Sequence, residues 1–430
     1  MTHNQESGND QDSVLRKPVS RRDLLRMAGV GGLGLMLGAG GMGGFLQAGR
    51  SLNANSSPAR NTGDQVPFYG LQQSGIITPP QDFLCFAAFA IRSKKLADVR
   101  ALFQKWTAAA AEMTQGRMIG EWNEQHNSPP SDTGEAEGLS PSKVTITFGV
   151  GPSFFDDRFG LSGKRPAELR DLPAFNGDQL SEDWCGGDIG IQVCANDMQV
   201  AFHAIRNLAR IARGIAVLIW TQEGFQRTAG ADPTAQTPRN LLGFKDGTGN
   251  PDVTDKKAMA KTVWVQQIEG PAWMENGSYM VTRRIRMRLE VWDRTQLSEQ
   301  EATFGRYRSS GAPLGASKEF DPLGLDRVRE DGEPVIPVNS HVRLAHGDGS
   351  VQILRRSYSY SSGIDRRTGQ MDSGLFFVSY QRSIAKQFIP MQQRLSQSDK
   401  LNEYIVHVGS AVFACFPGVR EGGYIGETLF

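Results

Sequence analysis

A chain of 430 residues, 39% hydrophobic and 22% charged, has a globular composition and is long enough for two domains. A formal net charge of +1, with no basic run interleaved with aromatics, excludes a sequence built to hold nucleic acid or an anionic membrane surface. The cysteines Cys85, Cys185, Cys194 and Cys415 show neither C-x-x-C nor metal-site spacing, and Cys85, Cys194 and Cys415 lie in apolar runs that suit buried free thiols.

Residues 1–19 are polar, Ser20-Arg21-Arg22-Asp23-Leu24-Leu25-Arg26 follows, and 27–49 is apolar and crowded with glycine. A charged stretch before an apolar one reads as a signal peptide, here 1–50. The arginine pair points to the twin-arginine route, and the weak hydrophobicity argues against a stable membrane span. Cleavage is expected between Ala48 and Ala59. That route carries folded proteins, which points to a cofactor loaded before export. Gly29-Val30-Gly31-Gly32-Leu33-Gly34 fits the dinucleotide fingerprint but lacks its strand and helix context, so it is set aside. Residues 51–65 read as a polar linker.

Residues 83–91 (FLCFAAFAI) form an apolar run of strand length, and 96–113 has helical periodicity. Strands are expected at 144–150 (VTITFGV) and 188–195 (DIGIQVCA), and Asp197 should cap a helix reaching about 212. A strand at 216–225 (AVLIWTQEGF) completes a β-α-β-β-α-β unit, the ferredoxin-like order, in a first domain at 66–230.

After a join around 230–240 the order repeats. Residues 279–292 (YMVTRRIRMRLEVW) alternate as a strand, and 298–304 reads as a helix capped by Ser298. Strands at 351–360 and 374–381, a helix at 384–395 and a last strand at 407–416 follow, with a long insertion between 305 and 344. The expected fold is α+β: two ferredoxin-like (βαββαβ) halves with antiparallel sheets, in a dimeric α+β-barrel-type arrangement, the second half at 240–430.

Six histidines are candidates for chemistry. His3 leaves with the signal, His126 lies in a polar loop, and His203 on a helix and His407 opening a strand suit structural roles. His341 and His346 remain, in Asn339-Ser340-His341-Val342-Arg343-Leu344-Ala345-His346. Neither pairs with cysteine or carboxylate at metal spacing, so zinc or non-haem iron is poorly supported, whereas one axial histidine can hold haem iron. Taken alone, His341 is more often structural than a ligand.

The segment 242–252 (LGFKDGTGNPD) places Asp246 on a tight turn, most simply an ordinary Asp-Gly turn. Asp246, Thr248 and Asn250 imitate the start of a calcium loop. Pro251 stands where that loop needs glycine, and Lys257 where it needs glutamate. A phosphate loop would need a Gly-Lys-Ser/Thr that is absent.

In chain order, Gly243-x-x-Asp246-Gly247, His341-Val-Arg-x-Ala and Leu354-Arg355-Arg356-Ser357-Tyr358-Ser359-Tyr360 resemble the dye-decolourising (DyP-type) haem peroxidases, and the likeness covers nearly the whole chain. Phe68-Tyr69-Gly70, Ser74-Gly75-Ile76, Trp292-Asp293-Arg294-Thr295, Phe304-Gly305-Arg306 and Gly311-Ala312-Pro313-Leu314-Gly315 resemble its exported branch, which includes the deferrochelatase/peroxidase of ferrous-iron uptake. The resemblance implies haem b in the C-terminal half, with His341 as proximal iron ligand. It also implies Asp246 and Arg355 as catalytic distal carboxylate and arginine, and Gly243, Gly247, Thr248 and Arg355 around the cofactor. Strand alternation sends Arg355 and Arg356 to opposite faces, and the choice of Arg355 rests on the resemblance. Two positions depart from the pattern the resemblance implies: Gln72 stands where related sequences often carry histidine, and Ser357 where some other branches place Asn or Gly.

The implied activity is reduction of hydrogen peroxide with oxidation of aromatic donors, outside the cytoplasm in the periplasm or at the cell exterior. The implied alternative is release of iron from haem with the porphyrin intact, with haem as substrate and an iron-uptake permease as partner. A haem carrier without a catalytic cycle is a third class, and an acid–base pair such as Asp246 and Arg355 argues against it. A homo-oligomer is expected.

Overall fold

The computed structural model describes residues 64–121, 126–228, 230–232, 234, 236–366 and 368–430; the signal expected at 1–50 and all but the last two residues of the linker expected at 51–65 lie outside them. Strand β1 (Phe83–Ile91) shows why its sequence is a continuous apolar run. Cys85, Ala87, Phe89 and Ile91 enter one core, while Leu84, Phe86 and Ala88 enter another. A sheet buried on both faces loses the polar half of the two-residue alternation.

Helix α1 (Leu96–Met113) packs on that strand through Val99, Leu102, Phe103, Trp106, Ala110 and Met113. Trp106 is fully buried, donates through Nε1 to the Leu208 carbonyl at 2.8 Å, and packs on Phe89, Phe103 and Phe148. Trp106→Ala is expected to lower unfolding free energy by about 3–5 kcal/mol in a denaturant titration. Strands β2 (Thr145–Val150) and β3 (Ile189–Ala195) follow, then helix α2 (Met198–Ile211), whose cap Asp197 accepts from the Val200 N–H as expected. Strand β4 (Ala216–Phe225) completes the first half in the order β2-β3-β1-β4, all antiparallel.

His203, expected on a helix, lies buried on α2 against two carboxylates. Its Nδ1 lies 3.0 Å from Glu135 and its Nε2 3.5 Å from Asp132. Burial opposes ionisation of Glu135, but hydrogen bonds from Thr133, His203 and Arg206 together outweigh it and bring its carboxyl down to about 2. A folded pKa below the unfolded value of 4.5 contributes stability that is present above pH 4.5 and lost as the pH falls toward 2. Acid unfolding followed by circular dichroism should therefore be shallower across that window in Glu135→Gln than in the wild type.

The second half holds helix α3 (Lys256–Thr262), strand β5 (Ser278–Met287), helices α4 (Leu289–Trp292), α5 (Leu297–Phe304) and α6 (His341–His346), strands β6 (Leu354–Arg355), β7 (Tyr358–Ile364) and β8 (Met371–Gln381), helix α7 (Ile389–Ser398) and strand β9 (Ile405–Cys415). Its order is β9-β5-β8-β7, with β6 added on β8. Gly149 pairs with Cys415 and Phe225 with Ser359, which joins the halves at both ends. The sheet therefore closes on itself as a barrel, with β6 continuing the line of β7 along β8, and both ferredoxin-like halves come from one chain. Phe86, Trp220, Phe376, Phe413, Tyr358 and Tyr380 fill the barrel. All four cysteines are free, with Cys85, Cys194 and Cys415 buried.

Several expected boundaries move. The strand expected over 279–292 stops at Met287, because Trp292 turns back to donate to the Leu242 carbonyl at 3.0 Å and to pack on Phe244, Phe304 and Tyr404. Ser298 is not a cap: the helix begins at Leu297 after an extended Gln296, without a side-chain cap. The strand expected at 351–360 splits into β6 and β7, and at the break the Ser357 hydroxyl takes the Val378 N–H at 3.4 Å. The last helix is preceded by a π-turn at Ile384–Phe388, and Pro390 falls in its first turn, where no N–H is required.

Candidate active site

A cavity of about 280 Å³ lies in the C-terminal half, between the outer face of β5, β8 and β9 and the helices α6 and α7. The ends of β6 and the 240–249 loop complete its wall. Ile285, Leu375, Phe377, Phe388, Met391 and Leu395 make most of it apolar.

His341 opens α6 and faces this cavity. The C-terminal carbonyls of that short helix are held by Arg394, whose Nε donates to the Leu344 oxygen at 3.0 Å. His341 Nδ1 lies 2.6 Å from the Asp399 carboxylate, which is 5% exposed and also accepts the Leu401 N–H at 2.9 Å. Burial pushes the His341 pKa down, but the Asp399 charge and hydrogen bond prevail and raise it. With Nδ1–H donated to Asp399, Nε2 is left for a ligand in the cavity. Asp399 went unrecognised in the sequence, since it is 58 residues from His341 and follows a helix of unrelated pattern.

Asp246 and Arg355 also line the cavity and form an ion pair, Nη1 to Oδ1 at 2.9 Å. The chain brings them together through Asn250, whose amide takes the Arg355 N–H at 3.0 Å and donates to its carbonyl at 2.8 Å. Arg356 points the other way, as alternation requires, and is buried against the Thr78 carbonyl and Gln81. Gly247 and Thr248 line the cavity; Gly243 does not. At φ +84°, Gly243 backs instead onto the Arg308 guanidinium, 2.9 Å from where a Cβ would sit.

Arg306, given no role from the sequence, and His407, expected to be structural, also line the wall. The first lies in the long insertion and donates through Nη1 to the Gly311 and Glu319 carbonyls at 2.7 and 2.9 Å. Burial, then the neighbouring Arg283 charge, lowers the His407 pKa to about 3, so this imidazole is neutral near pH 7. Gln72 bridges to Pro417 and is absent from the cavity wall.

A carboxylate-backed imidazole and a carboxylate–guanidinium pair in one largely apolar cavity suit an iron porphyrin. The imidazole can hold the metal, the apolar residues its macrocycle, and the cation Arg306 a carboxylate at its edge. The Asp246 carboxylate is a group able to move a proton, and the Arg355 guanidinium one able to stabilise negative charge, on the wall of the same cavity.

Residues 73–226 match the family described as Dyp-type peroxidase, N-terminal, and residues 237–420 match Dyp-type peroxidase, C-terminal. A deferrochelatase of Shigella boydii serotype 4 (strain Sb227) is 39% identical over 419 residues, covering 95% of this chain and 96% of that protein. Among solved structures, a DyP-type peroxidase from Streptomyces coelicolor superposes with a TM-score of 0.80 at 38% identity, covering 85% of this chain and 96% of that one. Ferric DtpA from Streptomyces lividans gives 0.79 at 37% identity, with coverage of 85% and 96%.

Proposed function

The chain belongs to the Dyp-type peroxidase family, whose cofactor is haem, and from that premise we propose that His341 holds the haem iron while Asp246 and Arg355 perform the distal chemistry. The observation that carries this reading is that one cavity is lined by His341, backed by Asp399, and by the ion-paired Asp246 and Arg355. When bound, haem supplies the iron at which hydrogen peroxide is reduced. Asp246 accepts the proton from the inner peroxide oxygen and returns it to the outer one. The Arg355 guanidinium stabilises the charge that grows on the departing oxygen, in a cavity whose apolar lining strengthens that interaction. Gly247 and Thr248 shape the backbone beside Asp246, and Gly243 acts through its packing on Arg308.

The physiological reaction we favour is peroxide-driven oxidation of an aromatic donor. Removal of iron from haem with the porphyrin intact is the second reading, favoured by the name of the Shigella boydii relative. We assign 1–50 to a twin-arginine signal, 51–65 to a linker, 66–230 and 240–430 to the two halves, and the mature protein to the periplasm or cell exterior. A homo-oligomer and an iron-uptake permease partner belong to the same reading. Among the described residues no helix is long and apolar enough to cross a membrane. The test is to turn over haem-loaded protein with peroxide and an aromatic donor and to separate the products. Oxidised donor with haem retained supports peroxidase action; stoichiometric metal-free protoporphyrin selects iron release.

A further inference from the structure

The insertion at 305–340 crosses the loop that carries Asp246 and touches it at three successive points. Arg308 packs on Gly243. Gly311, at φ +77°, packs on the Lys245 stem so closely that a Cβ there would lie 2.7 Å from Lys245 Cδ. Glu319 then reaches the loop with both carboxylate oxygens. Its Oε2 takes Lys245 Nζ at 2.5 Å, and its Oε1 takes the hydroxyls of Thr248, at 2.8 Å, and Thr237. Lys245 and Thr248 stand on either side of Asp246–Gly247, so one carboxylate grips the turn from both flanks.

Further anchors hold both partners in place. The Asp246 N–H is tied to the Pro238 carbonyl at 2.8 Å, and Arg239 Nη1 donates to the Gly243 and Arg308 carbonyls at 2.8 and 2.6 Å. Arg306 fixes the insertion from within by donating to the Glu319 carbonyl. The Glu319 and Lys245 side chains are each 10% exposed, so their ion pair is sheltered from the screening that weakens surface pairs.

We propose that Glu319 is the positioning residue of the distal site, a clamp by which the 305–340 insertion holds the Asp246 turn where its carboxylate meets Arg355. The inference rests on the reading of Asp246 as the distal acid. Glu319 touches neither peroxide nor cofactor in this account; it acts through Lys245 and Thr248. A displacement of about 1 Å in a catalytic group can cost on the order of a hundredfold in rate, so a clamp on a short turn has leverage.

The experiment compares Glu319→Ala, Glu319→Gln and Thr248→Val with Asp246→Asn. On the cofactor-free protein, hydrogen–deuterium exchange is read at the Asp246 and Asn250 amides. On the haem-loaded protein, kcat/KM for peroxide is read beside KM for an aromatic donor. Glutamine keeps the Oε1 acceptor for both threonines but turns an amide NH2 toward Lys245, so it preserves the threonine half of the clamp and removes the Lys245 half. The expected result is faster exchange in Glu319→Ala and a fall of about tenfold to a hundredfold in kcat/KM for peroxide at unchanged donor KM, with part of both recovered in Glu319→Gln through the threonine contacts. Thr248→Val should move both readouts the same way by less, which keeps the test informative if the alanine variant folds poorly. Wild-type exchange and wild-type peroxide kinetics in Glu319→Ala, beside a damaged Asp246→Asn, would overturn the clamp alone. Wild-type kinetics in Asp246→Asn would overturn the reading of Asp246, and with it the clamp's purpose.

Discussion

His341→Ala is expected to lose the Soret band of the haem complex and with it peroxide turnover, the largest effect of any single substitution in this protein. His341 faces the cavity with Nδ1 committed to Asp399 at 2.6 Å, so its Nε2 is the nitrogen available to an iron. Haem titration monitored by absorbance measures the loss directly. Asp399→Asn provides a graded companion: it keeps a hydrogen-bond acceptor for Nδ1 but removes the charge, and affinity should fall about 10–100-fold. Unaltered haem affinity and an unaltered spectrum in His341→Ala would remove His341 as ligand and reopen the choice among the cavity histidines, His346 and His407 included.

Arg355→Leu is expected to lower kcat/KM for peroxide by about 10²–10³ while leaving haem bound, since removal of one preorganised donor to a developing charge typically costs that much. Asp246→Asn should cost less, because a proton can also travel through water when the carboxylate is gone. The two effects should not add. The side chains share an ion pair at 2.9 Å, so each single variant already disables part of the other, and the double variant should be only slightly slower than Arg355→Leu. Stopped-flow mixing of haem-loaded protein with peroxide measures each rate. An Arg355→Leu rate equal to the wild type would assign charge stabilisation elsewhere, with Arg306 the next cation on the cavity wall.

Much of the secondary structure was legible from local pattern. The strands at 83–91 and 216–225 and the helix at 96–113 match the observed elements to the residue, and Asp197 caps its helix as its position suggested. These signals repeat every two to four residues, within a window that sequence shows directly. The places where pattern misled are those where a distant contact intervened. Residues 279–292 alternate throughout, yet the chain leaves the strand at Met287 so that Trp292 can reach Leu242, 50 residues away. Residues 351–360 read as one strand and are two, because the Ser357 hydroxyl substitutes for backbone at the break.

By itself the sequence determined the order of elements in the first half, most strands and the last helix of the second, the family through ordered motifs at 243–247, 341–345 and 354–360, and the opposite facing of Arg355 and Arg356. Only the tertiary structure decided that the halves close one barrel through the Gly149–Cys415 and Phe225–Ser359 pairings, and that Asp399 backs His341. It alone set Asp246 against Arg355, 109 residues away, and Glu319 across the Asp246 turn. The reason is physical: periodicity and capping are written in neighbouring residues, whereas an ion pair or a strand pairing between remote segments depends on how the whole chain packs, and no spacing rule carries it.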